Sequence, residues 1–120
     1  MFRKRLEVRT IEKTLIKEES CICPRFQKTF NILGKKWTGL IIEVLLMEDR
    51  RFKDIAEQIP EVSDRVLVER LKELEEEGIV LRTENLLGPV KVQYSLTEKG
   101  RCLEKVMQEI QLWSNQWMCE

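Results

Sequence analysis

The sequence predicts a mainly α-helical domain that carries one small β-hairpin, an α+β arrangement. Apolar residues recur every three or four positions in several separate stretches, as in amphipathic helices. One segment, 90–96, instead alternates apolar and polar residues, as in a half-buried strand. With 120 residues there is room for a single hydrophobic core, so we expect one small globular domain.

A first clear helix is expected from about Lys36 to Met47. It has a broad apolar stripe, which favours a place in the core over a ligand pocket. The stripe consists of Trp37, Leu40, Ile41, Val44 and Leu45.

Two short helices with a tight turn between them come next. Residues 53–59 have the apolar spacing of a two-turn helix, and Pro60 ends it. A second helix is expected to begin at Ser63, whose hydroxyl can cap it, and to close at Gly78. Asp64 suits the positive end of its dipole. This is the plan of a helix-turn-helix, in which the second helix enters the DNA major groove. Its buried face is marked by Leu67, Leu71 and Leu74.

The segment that follows favours a β-hairpin. Residues 79–83 are apolar and rich in β-branched side chains, 87–89 are a turn signal, and 90–96 alternate. A hairpin at this place makes the predicted fold a winged helix-turn-helix. Arg82 and Lys91 are the cations of the wing that could meet a phosphate.

Several short motifs occur in a fixed order along the chain. They are Cys23-Pro24, Leu33-Gly34-Lys35-Lys36-Trp37-Thr38, Arg51-Phe52, Ser63-Asp64-Arg65-Val66-Leu67, Arg70-Leu71-Lys72-Glu73-Leu74-Glu75, Gly78-Ile79-Val80 and Tyr94-Ser95-Leu96-Thr97-Glu98-Lys99-Gly100. In this order and spacing, over about residues 23–117, the chain resembles the HxlR-type winged helix-turn-helix transcriptional regulators, which are MarR-like. It departs from them at Lys35, where the family more often has a second glycine.

The resemblance implies a DNA-binding regulator that dimerises through its terminal helices. We therefore expect residues 21–120 to form the winged domain with a C-terminal dimerisation helix. Residues 1–20, which the resemblance does not cover, are expected to be an N-terminal helical extension. This extension would add a further helix to the dimer interface through Leu6, Val8, Ile11, Leu15 and Ile16.

The last helix, which Thr97 can cap, has an apolar face that a small domain does not need for its own core. We expect this face to form a homodimer contact. A two-fold dimer places two recognition helices roughly 34 to 36 Å apart and predicts an inverted-repeat operator in double-stranded DNA. The face consists of Leu103, Val106, Met107, Ile110, Trp113 and Trp117.

Most candidate DNA contacts lie on the second helix. Arg65 could contact a guanine edge through two hydrogen bonds; alternatively, it is a solvent arginine paired with Glu61 or Glu69. Val68 and Glu69 could meet a thymine methyl and a cytosine amino group. Arg70 could turn toward the short helix at residues 53–59 or toward a phosphate. The remaining candidates are Lys53, Ser63, Asp64, Lys72, Arg82 and Lys91.

The charges balance, with 21 basic and 21 acidic residues and no histidine. Many DNA-binding proteins instead have a positive net charge. Much of the local acidic excess lies at Glu73 and 75–77, where a solvated face that points away from the groove is expected. DNA affinity should depend strongly on salt and be modest without a matched sequence.

The four cysteines do not have the spacing of a structural zinc site, since Cys21 and Cys23 are separated by one residue. Cys23 precedes Pro24, a favoured first residue of a helix, so the helix dipole and nearby cations favour its thiolate. The resemblance implies a redox or electrophile sensor, because some members sense oxidants, quinones or aldehydes at the position of Cys23. A partly buried structural cysteine is the alternative.

No catalytic constellation, metal or cofactor is expected, because the chain has no histidine and no Gly-rich phosphate loop. No membrane span is expected either, because Glu43 interrupts the longest apolar stretch, 40–42. The protein should therefore be a cytoplasmic non-enzyme. Two alternatives stay open: a winged-helix module that binds a protein partner, and a regulator switched by a small molecule near Trp37. The sequence does not identify an effector.

Overall fold

The structure, a computed structural model, describes residues 22–89 and 91–118. It divides into two units, Met1–Gly34 and Lys35–Glu120. In the first unit, helix α1 spans Pro24–Leu33 and has its proline in the first turn, as predicted. The helix predicted within residues 1–20 lies outside the described residues.

The described part of the second unit contains five helices and one hairpin. The helices predicted between residues 36 and 78 and both predicted strands are present, with bounds that differ from the predictions by up to two residues. The elements are α2 (Thr38–Met47), α3 (Phe52–Gln58), α4 (Asp64–Glu76), β1 (Val80–Glu84), β2 (Val92–Leu96), α5 (Glu98–Arg101) and α6 (Glu104–Trp117).

Helix α2 lies at the centre of the core of this unit. Its buried residues include Thr38, Ile41, Ile42 and Leu45, which follow the spacing of a single helical face. The prediction that Leu40 belongs to the core was wrong, because this face points Leu40 outward and leaves it 50% exposed. Opposite α2, the fully buried side chains come from α3 and α4 and are Ile55, Leu67, Leu71 and Leu74.

Strands β1 and β2 form the antiparallel hairpin, with Arg82 opposite Tyr94. The other edge of β2 pairs with Arg50: the Arg50 amide donates to the Tyr94 carbonyl at 3.0 Å, and the Tyr94 amide donates back at 2.7 Å. Tyr94 and Leu96 are buried, so the alternating segment has one face on the core as predicted. This double pairing fixes the base of the wing beside α3.

The prediction of one continuous C-terminal helix was wrong. Thr97 caps the short helix α5, its hydroxyl accepting a hydrogen bond from the Gly100 amide at 3.0 Å. The chain then makes a 3₁₀-type turn, in which the Leu103 amide donates to the Gly100 carbonyl three residues back, at 3.0 Å. Gly100 lies directly against the Ile79 carbonyl, where a β-carbon would clash. This close contact holds α5 against the segment between α4 and β1.

Candidate nucleic-acid interface

The start of helix α4 is set by a side-chain cap. Ser63 has extended backbone angles, and its hydroxyl accepts a hydrogen bond from the Val66 amide at 3.2 Å. Asp64 occupies the first turn, where a carboxylate is favoured by the helix dipole. Ser63, Asp64 and Arg65 are all exposed, so the first turn is open to a partner.

One exposed strip runs along α4 opposite its buried leucines. It consists of Arg65, Val68, Glu69 and Lys72, four residues at the spacing of one helical face, and we call it the outer face of α4. Within the described residues Arg65 makes no ion pair, and the pairing with Glu61 or Glu69 considered from the sequence is not formed. The Arg65 guanidinium is therefore available to an external acceptor.

Arg70 takes a different direction from the outer face. Its side chain is only 18% exposed. The Nε atom donates to the Lys36 carbonyl at 3.1 Å, and Nη1 lies 3.4 Å from Glu73 Oε2. The side chain thus contacts the turn before α2, which is neither of the two positions considered from the sequence.

The prediction of a solvated acidic face is wrong for Glu73. Its Oε2 atom accepts a hydrogen bond from the Lys35 ammonium at 3.0 Å and also faces Arg70. Glu73 therefore belongs to a set of contacts between α4 and the turn at residues 35–37. Glu75 and Glu76 make no such contact within the described part of the chain.

The wing carries less free positive charge than its sequence suggests. Arg82 donates to Glu84 at 2.7 Å, and this hydrogen bond, with a smaller contribution from Tyr94, raises the pKa of Arg82 above its ordinary value. The guanidinium stays charged, but a carboxylate lies against it. Lys91 is exposed and is the less encumbered of the two predicted cations.

The tip of the wing is apolar, which sequence reasoning missed. The Asn85 carbonyl oxygen Oδ1 accepts hydrogen bonds from the Leu87 and Gly88 amides at 3.1 and 3.2 Å. Such a side-chain-closed turn is a common use of asparagine. It leaves Leu87 98% exposed beside the exposed Leu86. The predicted strand residue Val90 lies outside the described residues.

The first turn of α3 presents one free cation among the described residues. Arg51 is paired with Asp54 through Nε and Oδ2 at 2.9 Å, which raises the pKa of Arg51 and lowers the pKa of Asp54. Arg50 is largely buried behind the wing. Lys53 is exposed and unpaired there, so it is the cation that α3 offers to a phosphate.

Cys23 is exposed at the N-cap of α1. Its carbonyl accepts hydrogen bonds from the Phe26 and Gln27 amides, both at 3.0 Å, and its thiol makes no capping hydrogen bond. The alternative of a partly buried structural cysteine does not describe this position. Cys102 is also exposed and free, whereas Cys21 and Cys119 lie outside the described residues.

The apolar face predicted on the last helix is mostly exposed. Trp113 is 57% and Trp117 is 63% exposed, and Val106 and Ile110 lie on the same side. Met107 is the exception, because it is buried and its methyl group lies near Gly39 of α2. Met107 therefore packs within the core and attaches α6 to α2.

Among the described residues, no three acidic, cysteine or histidine side chains are grouped so that they could hold a metal ion. None of the helices in this part of the chain is both long enough and apolar enough to cross a membrane.

The fold and sequence are similar to those of known regulators. YodB of Bacillus subtilis is 52% identical over 99 residues, which are 82% of this chain and 88% of YodB. The structure of reduced YodB matches with a TM-score of 0.74, covering 82% of this chain and 96% of that one. The redox regulator HypR, in its reduced form, matches at 34% identity with a TM-score of 0.70, covering 75% of this chain and 89% of that one.

A family profile described as HxlR-like helix-turn-helix matches residues 32–120, which include every element from α2 to α6. The winged fold, the capped helix α4 and the hairpin agree with this match. The chain belongs to the HxlR-like helix-turn-helix family and is a transcriptional regulator rather than an enzyme.

Proposed function

We propose that the protein acts in the cytoplasm as a homodimer that binds an inverted-repeat operator and represses transcription by blocking a promoter. The outer face of α4 is the observation that carries this proposal. It is continuous and exposed, and it includes an arginine without an ion pair among the described residues. Such a face on the second helix of a helix-turn-helix is where base edges are read in the major groove.

Each residue of the outer face suits a particular contact. The planar guanidinium of Arg65, in the first turn of α4, fits the O6 and N7 acceptors of guanine. Val68 fits a thymine methyl group, and Glu69 can accept from a cytosine amino group. Lys72, farther along the helix, is assigned to a backbone phosphate.

The remaining candidates surround this face. Ser63 and Asp64 hold the start of α4, and their position leaves the N-terminal amides of the helix near the DNA backbone. Lys53 and Lys91 are assigned to phosphates, and Arg82 to a weaker phosphate contact because Glu84 already pairs with it. We assign no DNA contact to Arg70, whose guanidinium faces Lys36 and Glu73.

The homodimer is proposed to form through the exposed side of α6. Val106, Ile110, Trp113 and Trp117 offer large apolar side chains on one side of that helix, and tryptophan is enriched where protein interfaces are strongest. In this proposal residues 21–120 are the winged domain with its dimerisation helix. Residues 1–20, outside the described part, are a helical extension at the same interface.

The proposed signal is covalent modification of Cys23 by an oxidant or a quinone. Its support is the exposed thiol at a helix N-cap and the similarity to YodB, which is known in quinone-bound and diamide-treated forms, and to HypR, known in reduced and oxidised forms. A thiolate can add to a quinone ring carbon, forming a C–S bond as the C=C π bond breaks and its electron pair moves onto a carbonyl oxygen. That oxygen takes a proton from water, and the proton on the attacked carbon is transferred through water to the second oxygen, which gives a hydroquinone thioether. No further oxidant is needed for that step.

The decisive experiment is selection of duplexes from a randomised pool by the reduced protein, with Arg65→Ala in parallel. Enrichment of an inverted repeat by the wild type, and its loss in Arg65→Ala with the dimer intact, is the expected result. Lys105→Ala is the matched control, because Lys105 is an exposed cation on α6 and not on α4. Absence of any enrichment by an intact dimer would overturn the proposal in favour of a protein-binding module.

A further inference from the structure

We propose that Arg70 and Glu73 are positioning residues that hold the outer face of α4 at the angle needed to read DNA. Together with Lys35 and the carbonyl of Lys36 they form a set of contacts that we call the α4 clamp. This inference rests on the proposed reading of DNA by α4. It gives a role to two charged residues that lie on the recognition helix but do not face outward.

The clamp joins α4 to the turn before α2 at two points and includes one further contact within α4. Arg70 Nε donates to the Lys36 carbonyl at 3.1 Å. Arg70 Nη1 and the Lys35 ammonium both reach Glu73 Oε2, at 3.4 and 3.0 Å. Glu73 is thus shared between a cation on its own helix and a cation on the turn. Arg70 contacts the turn and Glu73, and its Nη1 atom also lies 3.7 Å from Glu69 Oε1 on the outer face.

The turn that receives these contacts is itself well fixed. Trp37 has a φ of 80°, a left-handed conformation that a residue with a side chain rarely adopts and that the surrounding structure must hold. The Lys36 ammonium lies 4.9 Å from the centre of the Trp37 ring, a cation–π distance. The next residue, Thr38, is buried, and its amide donates to the Lys35 carbonyl at 3.2 Å. Lys36 therefore presents its carbonyl from a constrained position.

The hydrogen bonds and ion pairs of the clamp restrain the rotation of α4, which the packing of its leucines does not. Burial of Leu67, Leu71 and Leu74 is strongly stabilising, but apolar burial is not directional and tolerates small rotations of a helix. Two hydrogen bonds from Arg65 to one guanine need accurate placement, and sites lose function when their support is loose by about 1 Å. The clamp supplies the directional restraint on the side of the helix away from the DNA.

The sign of the charge at Glu73 makes the proposal testable. If Glu73 were only a solvated acid on a DNA-binding helix, its removal would reduce repulsion of phosphates and tighten binding. If it positions α4, its removal should weaken binding to the correct sequence in spite of the lost negative charge. Glu76→Gln removes the same charge from the same helix at an exposed position without such contacts in the described part of the chain.

The probe is a duplex recovered from a randomised pool by the reduced wild type, compared with a scrambled duplex of the same length. For Glu73→Gln we expect a roughly tenfold loss of affinity for the recovered duplex, the size expected for one charge-assisted hydrogen bond, and no loss for the scrambled one. Glu76→Gln should bind both duplexes at least as tightly as the wild type. The double variant of Arg70 and Glu73 should lose less than the sum of the single losses.

Arg70→Gln and Lys72→Gln separate positioning from a phosphate contact, since each removes one positive charge. Loss of a phosphate contact lowers the slope of log affinity against log salt by about 0.9 and weakens both duplexes alike. We expect this for Lys72→Gln, whereas Arg70→Gln should keep the wild-type slope and lose discrimination. Thermal unfolding and size-exclusion chromatography verify that each variant is a folded dimer.

Two results would overturn the inference: Glu73→Gln binding the recovered duplex as tightly as Glu76→Gln, or Arg70→Gln lowering the salt slope as Lys72→Gln does. If Arg70→Gln does not fold, the Glu73→Gln comparison decides alone. Failure of the wild type to enrich any duplex would instead contradict the proposed function, so the two failures are distinct.

Discussion

The Thr97 hydroxyl donates a hydrogen bond to the Gly78 carbonyl at 2.6 Å and accepts one from the Gly100 amide at 3.0 Å. Gly78 ends the recognition helix region with a φ of 75°, and Gly100 belongs to α5. One side chain therefore links the end of α4 to the start of the C-terminal helices. The hairpin leaves from Gly78 and returns at Thr97, so this link also closes the base of the wing.

Loss of this hydroxyl should destabilise the whole unit. Thr97→Val keeps the shape of the side chain but removes the cap of α5 and the bond to Gly78. We expect the free energy of unfolding to fall by about 1 to 3 kcal/mol, because the partly buried Gly100 amide loses its cap and the Gly78 carbonyl loses its donor. Urea unfolding followed by circular dichroism measures the change. Thr97→Ser keeps the hydroxyl and should recover most of the loss; an unchanged stability in Thr97→Val would contradict the assigned role.

Cys23 should be the thiol through which a quinone releases the protein from DNA. Treatment of the reduced wild type with benzoquinone is expected to lower operator affinity at least about tenfold, since a bulky group is added at the start of α1. Cys23→Ser should keep its affinity after the same treatment. Cys102→Ser is the matched control, because Cys102 is also exposed and free but should leave the response intact. A response that survives in Cys23→Ser would assign the signal to another cysteine.

Trp113 should be a main contributor to the dimer. Trp113→Ala removes a large exposed apolar side chain from each copy, and a tryptophan at the centre of an interface is worth roughly 2 kcal/mol or more when truncated. Analytical ultracentrifugation should show a dissociation constant raised by about thirtyfold or more. Gln108→Ala, an exposed residue on the opposite side of α6, should not change it. Equal effects of the two substitutions would place the interface elsewhere.

The Arg51–Asp54 pair should make stability depend on acid pH. Arg51 hydrogen-bonds the carboxylate and lowers the pKa of Asp54 below its ordinary value of 3.8. The pair therefore stabilises the fold fully above that ordinary value, and the contribution is lost as the pH falls through the lower pKa of the folded state. Melting temperatures of wild type and Asp54→Asn should differ at pH 7 and converge below pH 3.8. Glu61→Gln, which removes an exposed acid, should show no such convergence.

Local patterns in the sequence predicted most of the elements. Ser63, Pro60 and Gly78 mark the bounds of α3 and α4 by their own backbone and hydrogen-bonding chemistry, which needs no distant partner. The outer face of α4 also follows from periodicity, because the buried leucines determine which side of the helix is exposed. The winged fold and the family were predictable for the same reason.

The contacts of Arg70 and Glu73 were not predictable in this way. Their partners on the turn before α2 lie 34 and 38 residues earlier in the chain, and nothing local marks a glutamate as paired with so distant a lysine. The break between α5 and α6 has a similar cause, since it depends on the close approach of Gly100 to Ile79. The solvated position of Glu73 and the single C-terminal helix were therefore predicted wrongly, because tertiary contacts outweighed the local sequence pattern.

The attachment of α6 has a consequence for how the protein folds. Met107, in the first turns, is the one residue of this described helix that is buried, so a single copy covers the start of α6 and leaves its last turns bare. In the proposed homodimer the amides near Trp117 would gain protection from hydrogen exchange only when a second copy covers them. Their protection would then rise with protein concentration, because a larger fraction of the protein would be dimeric.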